Sequence, residues 1–169
     1  NAYANDWKVS AKVGYTPNST DEYVLGYALQ EGEKGNPVYT GESKQGIRYW
    51  QWPYWNKDSL YFLSSTALNE NNRIKVRVFQ DRYENRINAY TDATYTRPGQ
   101  RSAFPSSVQD KNTGASLELI NQSLPGHEIH LAFHHKVDRH KETGPTSPAA
   151  RYRDVTQSIA VEDIIALDA

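Results

Sequence analysis

The chain has 169 residues, enough for one domain with a sizeable core, and its composition is polar, with 37% hydrophobic and 23% charged residues. A net charge of −1 offers no basic excess to neutralise phosphates, so a general nucleic-acid-binding role is not expected. No cysteine is present, which removes disulfides, thiol nucleophiles and thiolate metal sites together. No apolar run approaches 18 residues and no leader is apparent, so neither a transmembrane segment nor a signal peptide is expected; the lack of methionine reads as a processed or trimmed start.

In chain order, Trp7–Tyr15 alternates cleanly, with Trp7, Val9, Ala11, Val13 and Tyr15 on one side and Lys8, Ser10 and Lys12 on the other, the pattern of a half-buried strand. Thr16–Asp21 is a turn cluster, and Glu22–Gln30 alternates again through Tyr23, Leu25, Tyr27 and Leu29. Glu31–Pro37 reads as a polar loop, Val38–Thr40 as a short strand and Gly41–Gln45 as a turn. Beyond the aromatic stretch Arg48–Trp55, Ser59–Ser64 reads as a short strand and Leu68–Asn72 as a loop. Arg73–Gln80 is the best strand, followed by a hairpin loop at Asp81–Asn85 and a returning strand at Arg86–Thr91, which in some registers brings Arg77 near Asn88.

Arg97–Gly114 lacks a period and reads as a long surface loop. Ser116–Asn121 and Glu128–Val137 are strands around a turn at Leu124–His127, and Asp138–Asp154 reads as another long loop. Ser158–Leu167 closes the chain, its alternation slipping at Glu162 and Asp163 in a bulge or a single helical turn. No 3.6-residue stripe is sustained over a dozen positions. The expectation is one all-β domain over residues 1–169, an antiparallel β-sandwich of jelly-roll type. A loose echo among Glu22–Lys34, Arg73–Asn85 and Glu128–His140 offers the alternative of a repeat-built trefoil or propeller-like fold.

Arg48–Trp55 holds three of the four tryptophans. In a regular strand Trp50, Trp52 and Tyr54 share a face with Arg48, while Tyr49, Gln51, Pro53 and Trp55 share the other; Pro53 argues for a sheet edge or strand end. Aromatic rings can stack on the C–H faces of sugars while Arg48, Gln51, Asn56 and Asp58 bond hydroxyls. The plain alternatives are core packing and contact with membrane head groups.

All five histidines lie between His127 and His140. On a strand His130 and His134 share a face but stand about 13 Å apart, too far to converge on one ion, so no metal is expected. His135 points to the opposite, apolar side. The acid/base candidates His130, His134, Tyr90, Arg77, Glu84 and Asp81 show no spacing that selects a pair, and neither a Gly-x-Ser-x-Gly elbow nor a phosphate-cradling glycine loop is present. No catalytic residue and no cofactor is therefore assigned.

Ser158–Leu167, an apolar run broken by two acids, resembles the closing strand of jelly-roll carbohydrate-binding modules, which implies a sandwich and sugar binding. Lys75–Asp81 is similar to a blade strand of fungal fucose-binding propeller lectins, where an arginine and a following acid hold the sugar; Arg77 matches the arginine, and Asn88 stands where a glutamate is expected. The expected function is thus non-catalytic carbohydrate binding by a secreted or extracellular lectin or binding module. Its expected site is Arg48, Trp50, Trp52, Tyr54, Trp55, Asn56 and Asp58, with Arg77 and Asn88 as further candidates. The expected partner is a glycan or polysaccharide, and homo-oligomerisation is left open. The alternatives are a small polysaccharide-active enzyme using His127–His140 and a secreted toxin or effector that touches membrane through its aromatic edge.

Overall fold

Alternation of apolar and polar residues continues much further along this chain than its apolar segments alone indicate, and each alternating run is one long strand. A computed structural model describes residues 2–41, 47–97, 105–145 and 148–166. The strands are β1 (Tyr3–Tyr15), β2 (Glu22–Gly35), β3 (Tyr49–Asn69), β4 (Asn72–Tyr90), β5 (Pro105–Asn121), β6 (His127–Thr143) and β7 (Ala150–Ile165). They pair in consecutive order, β1 to β7, all antiparallel, in one open sheet with free edges at β1 and β7 among the described residues.

The all-β expectation agrees with this sheet. A jelly roll requires Greek-key connections and a second layer, and the described residues contain neither. The threefold echo has a simple origin: its segments lie on β2, β4 and β6, alternate strands of a meander that run in the same direction. Asp81–Asn85 is the middle of β4 rather than a hairpin, and Asp138–Thr143 and Ala150–Asp154 extend β6 and β7. Polar residues there occupy both sides of the ladder, and the pairing runs on through them without a shift. Glu31–Gly35 likewise prolongs β2, whereas Val38–Thr40 forms no strand. At Glu162 and Asp163 the register against His130 and Ile129 runs on without a shift, so neither bulge nor helical turn occurs. The predicted features at residues 42–45, 98–104, 146–147 and 167 lie outside the described residues.

Directly paired residues share a face, so the register defines two. Rows Val13–Leu25–Phe62–Val78–Ala115–His135 and Tyr15–Tyr23–Ser64–Val76–Leu117–Phe133–Ile159 belong to an apolar face. Rows Ser10–Ala28–Ser59–Asp81–Asn112–Asp138–Asp154 and Gly14–Val24–Leu63–Arg77–Ser116–His134–Ser158 belong to a mostly polar one. On the polar face two glycines accept a ring from the neighbouring strand. Tyr61 lies across Gly26 and Phe79 across Gly114, in each case occupying the space a Cβ would take. A larger residue at either position would displace the ring, which rests against the backbone.

The polar face is the better covered of the two. Among the described residues only Ala89, Ile120 and Val137 are buried hydrophobics and no large side chain is fully enclosed, and the apolar face stands open, with Ile159 at 73% and Val161 at 72% exposure. Residues 16–21, 70–71 and 122–126 make short connections at one end of the sheet; those spanning 36–48 and 91–104 at the other end are longer. In the first short turn Asn18 Oδ1 accepts the amides of Thr20 and Asp21, and Asp21 Oδ1 accepts the Ala67 amide of β3 at 2.9 Å. That bond, with further hydrogen bonds from Asn18 and Thr20, holds the Asp21 carboxyl below its usual range. The stability it contributes is therefore present above the unfolded value of about 4 and lost as pH falls through the lower folded value. Asp21→Ala is expected to lower the denaturant midpoint at pH 7, with the difference from the parent chain vanishing in strong acid; a pH series of unfolding curves measures it.

Candidate functional site

The aromatic stretch opens β3, and a register shift between Gln51 and Tyr54 decides how its rings are arranged. Trp50 pairs with Ala89, Trp52 with Lys34 and Trp55 with Asn85, all on the polar face, while Tyr54 pairs with Arg86 on the opposite one. The irregularity at Pro53, which cannot donate to the ladder, therefore moves Trp55 onto the same side as Trp50 and Trp52 and removes Tyr54 from it. This corrects the strict-alternation grouping of Trp50, Trp52 and Tyr54.

The rings form a continuous row. Centroid separations are 6.1 Å for Trp50–Trp52, 6.2 Å for Trp52–Trp55 and 5.5 Å for Trp55–Tyr83, each edge to face. Such contacts contribute about 0.5–1.5 kcal/mol apiece beyond area burial. Two cations cover the row: Lys34 Nζ lies 3.5 Å from the Trp55 centroid and 4.9 Å from that of Trp52, and the Arg48 guanidinium lies 4.7 Å from Trp50. Trp50, Trp52 and Trp55 are half-buried, neither sealed in a core nor standing free. Beneath Trp55, buried Asn85 donates to the Tyr83 hydroxyl at 2.6 Å, while its Oδ1 has no donor among the described residues.

The remaining candidates separate. Asn56 and Asp58 lie on the apolar-face side of β3: Asn56 donates to Glu84 at 3.3 Å and accepts the Gly32 amide at 3.4 Å, and Asp58 stands opposite Arg82. Arg77 and Asn88 do not meet, because both lie on β4; Arg77 rests over Phe79 at 4.9 Å, and Asn88 accepts from Arg86 at 3.0 Å. Lys34, Tyr83 and Asn85 were missed. Their only signal is position in the ladder, which requires knowing that β2, β3 and β4 are neighbours.

The histidines also divide between faces. His130 is held by Glu118 and Glu128, each at 2.7 Å, on the polar face, and His140 meets Asp110 there. His127 bonds Asp163 at 2.8 Å, and His135 lies 3.2 Å from Gln157, on the other face. His130 and His134 share a face, as their spacing requires, and the described residues contain no group of three or more ligating side chains placed to hold a metal.

Comparison with protein-family models, curated proteins and solved structures finds no match for this chain. The geometry therefore carries the argument. Removing the ammonium by Lys34→Met is expected to cost about 0.5–1 kcal/mol, with the same coupling appearing in a double-mutant cycle against Trp55→Leu. Denaturant unfolding followed by tryptophan fluorescence measures both.

Proposed function

We propose that these strands form part of the wall of a membrane-spanning β-barrel, with the apolar face toward lipid and the polar face toward the interior. The observation that carries this reading is the long, uncovered apolar face on a sheet whose other face is polar and better covered. Contiguous exposed apolar patches on soluble monomers rarely exceed a few hundred Å². Among the described residues no helix is long and apolar enough to cross a membrane, so any crossing is made by strands.

Three quantities support the reading. First, the apolar band runs obliquely across the ladder. Its centre on β1, Ala11, is in register through Tyr27, Leu60, Gln80 and Thr113 with Val137 on β6, yet the apolar-face run Ile129–Val137 on β6 centres on Phe133. That offset of four residues over five strand steps corresponds to a tilt of about 30°, using about 3.4 Å per residue and about 4.8 Å between strands. Barrel walls tilt in the same way, by about 35–45°. Second, on β7 the band lies between Arg153 and Asp163. Those ten steps measure about 34 Å along the strand and about 29 Å when tilted by about 30°, close to the hydrocarbon thickness of about 30 Å. Third, aromatics bracket the band on β1, with Trp7 at one end and Tyr15, stacked on Tyr23 at 6.3 Å, at the other, as at membrane interfaces. Connections of six residues or fewer at one end of the sheet, against two longer ones of the three at the other, fit the same architecture.

The test is incorporation of the folded full chain into phosphatidylcholine vesicles, scored by flotation. An arginine near mid-band on the apolar face, Leu117→Arg, is expected to cost about 2–4 kcal/mol of incorporation, and Ala132→Arg on the polar face much less. A chain that stays monomeric without lipid or detergent, or equal losses in the two variants, overturns the reading.

A second reading, carbohydrate binding by the ring row on the polar face, is favoured by half-exposed indoles next to Arg48, Lys34 and the unpaired Asn85 Oδ1. In this reading the sugar ligands are Arg48, Trp50, Trp52 and Trp55; Tyr54, Asn56 and Asp58 face away. It predicts glycan-array binding that Trp52→Ala abolishes with the circular dichroism spectrum intact. Binding that survives the substitution removes it.

A further inference from the structure

Immediately beyond the apolar band, on the side of the longer connections, four cations stand side by side across four adjacent strands. Arg82 on β4 pairs with Lys111 on β5, Lys111 with Arg139 on β6, and Arg139 with Arg153 on β7. One row further out, Lys141 pairs with Arg151. Together these residues line a hollow of about 700 Å³.

Like charges directly opposite one another in a sheet are destabilising, and here there are three such pairs in succession. A merely solvated face does not need that arrangement, because alternating signs keep a surface equally soluble. Nor do neighbours neutralise it: among the described residues none of the six has a carboxylate within ion-pair distance, and Lys141 reaches only the amide oxygen of Gln109 at 3.4 Å. Asp58 ends the row opposite Arg82, and Glu84 is engaged by Asn56. Of the other acids lining the hollow, Glu31 lies beyond on β2, and Asp110, on the opposite face, is engaged by His140. The next row toward the band is uncharged, running Gln80, Thr113, Val137 and Val155, so the cations begin where the apolar surface ends.

We propose that this ladder is a binding belt for the phosphates of anionic lipid head groups at the membrane rim. The inference rests on the membrane-wall reading and deepens it. A leaflet presents phosphates in a layer where acyl chains give way to head groups; in a wall tilted by about 30° the three strand steps of the ladder spread over about 7 Å of depth, about the thickness of that layer. Arginine forks hold phosphate oxygens in pairs, and juxtamembrane cations gain from the negative surface potential.

The experiment is flotation of the full chain with phosphatidylcholine vesicles prepared with and without phosphatidylglycerol. The parent chain is expected to prefer the anionic vesicles. Each neutralised cation should weaken that preference about fivefold, so Arg139→Gln/Arg153→Gln should reduce it about 30-fold and leave entry into pure phosphatidylcholine unchanged. Lys141→Gln/Arg151→Gln supplies a second variant in the outer row with the same expectation, should the first misfold by circular dichroism. Entry into both vesicle types without an anionic preference overturns the belt alone. Failure to enter phosphatidylcholine overturns the wall reading, and the lipid assignment with it. Loss of the preference when inorganic phosphate replaces chloride at equal ionic strength assigns the site to free phosphate and overturns the head-group source.

Discussion

A single-layer sheet has two faces and no partner layer, and the protein's chemistry follows from how differently those faces are furnished. Full burial of a Leu, Ile, Val or Phe side chain contributes about 1.5–3 kcal/mol. Leu25, Phe62, Val78, Leu117, Leu131, Phe133, Ile159 and Val161 all withhold much of that while they face water. The free edges add a second demand, since long unpaired strands present rows of open donors and acceptors. A barrel wall in lipid meets both demands: acyl chains cover the apolar side, and closure satisfies the edges.

The polar face is organised by different physics. The rings of Tyr61 and Phe79 lie across Gly26 and Gly114, so the backbone there is covered without an apolar core. Several of its ionisable groups are paired, His130 with Glu118 across strands and with Glu128 along β6, His140 with Asp110 and Asp81 with Ser59 across strands. Satisfied networks of this kind hold register in the way side-chain packing does in a sandwich. On the outer margin of the apolar face the opposite choice is made, and cations are left facing one another.

The aromatic row joins the two levels of description. Its density is a property of the sequence, but its geometry depends on one irregular step at Pro53 that reverses the side on which Trp55 emerges. Period-two reasoning failed at that step because a bulge inserts an odd residue, and all later side chains change face. The same reasoning succeeded on β1, where Trp7 to Tyr15 contains no irregularity and every expected side chain lies on its expected face. Arg77 and Asn88 were grouped by a hairpin at Asp81–Asn85 that does not exist. Charged residues in a polar row resemble those of a turn, and only pairing with β3 and β5 distinguishes the two.

From the residues alone, this chain was committed to strands: alternation, turn clusters and the absence of a helical stripe determine the class, because side-chain direction in a strand has a period of two. The opposed characters of Lys8, Ser10 and Lys12 against Val9, Ala11 and Val13 were equally visible there. Tertiary structure decided what covers what. Whether an apolar face meets a second sheet or is left open depends on which strands become neighbours, and that is set by long-range pairing. The drift of the apolar band, the ring row with Lys34 and Tyr83, and the cation ladder all join residues far apart in the chain, and so exist only once the register does.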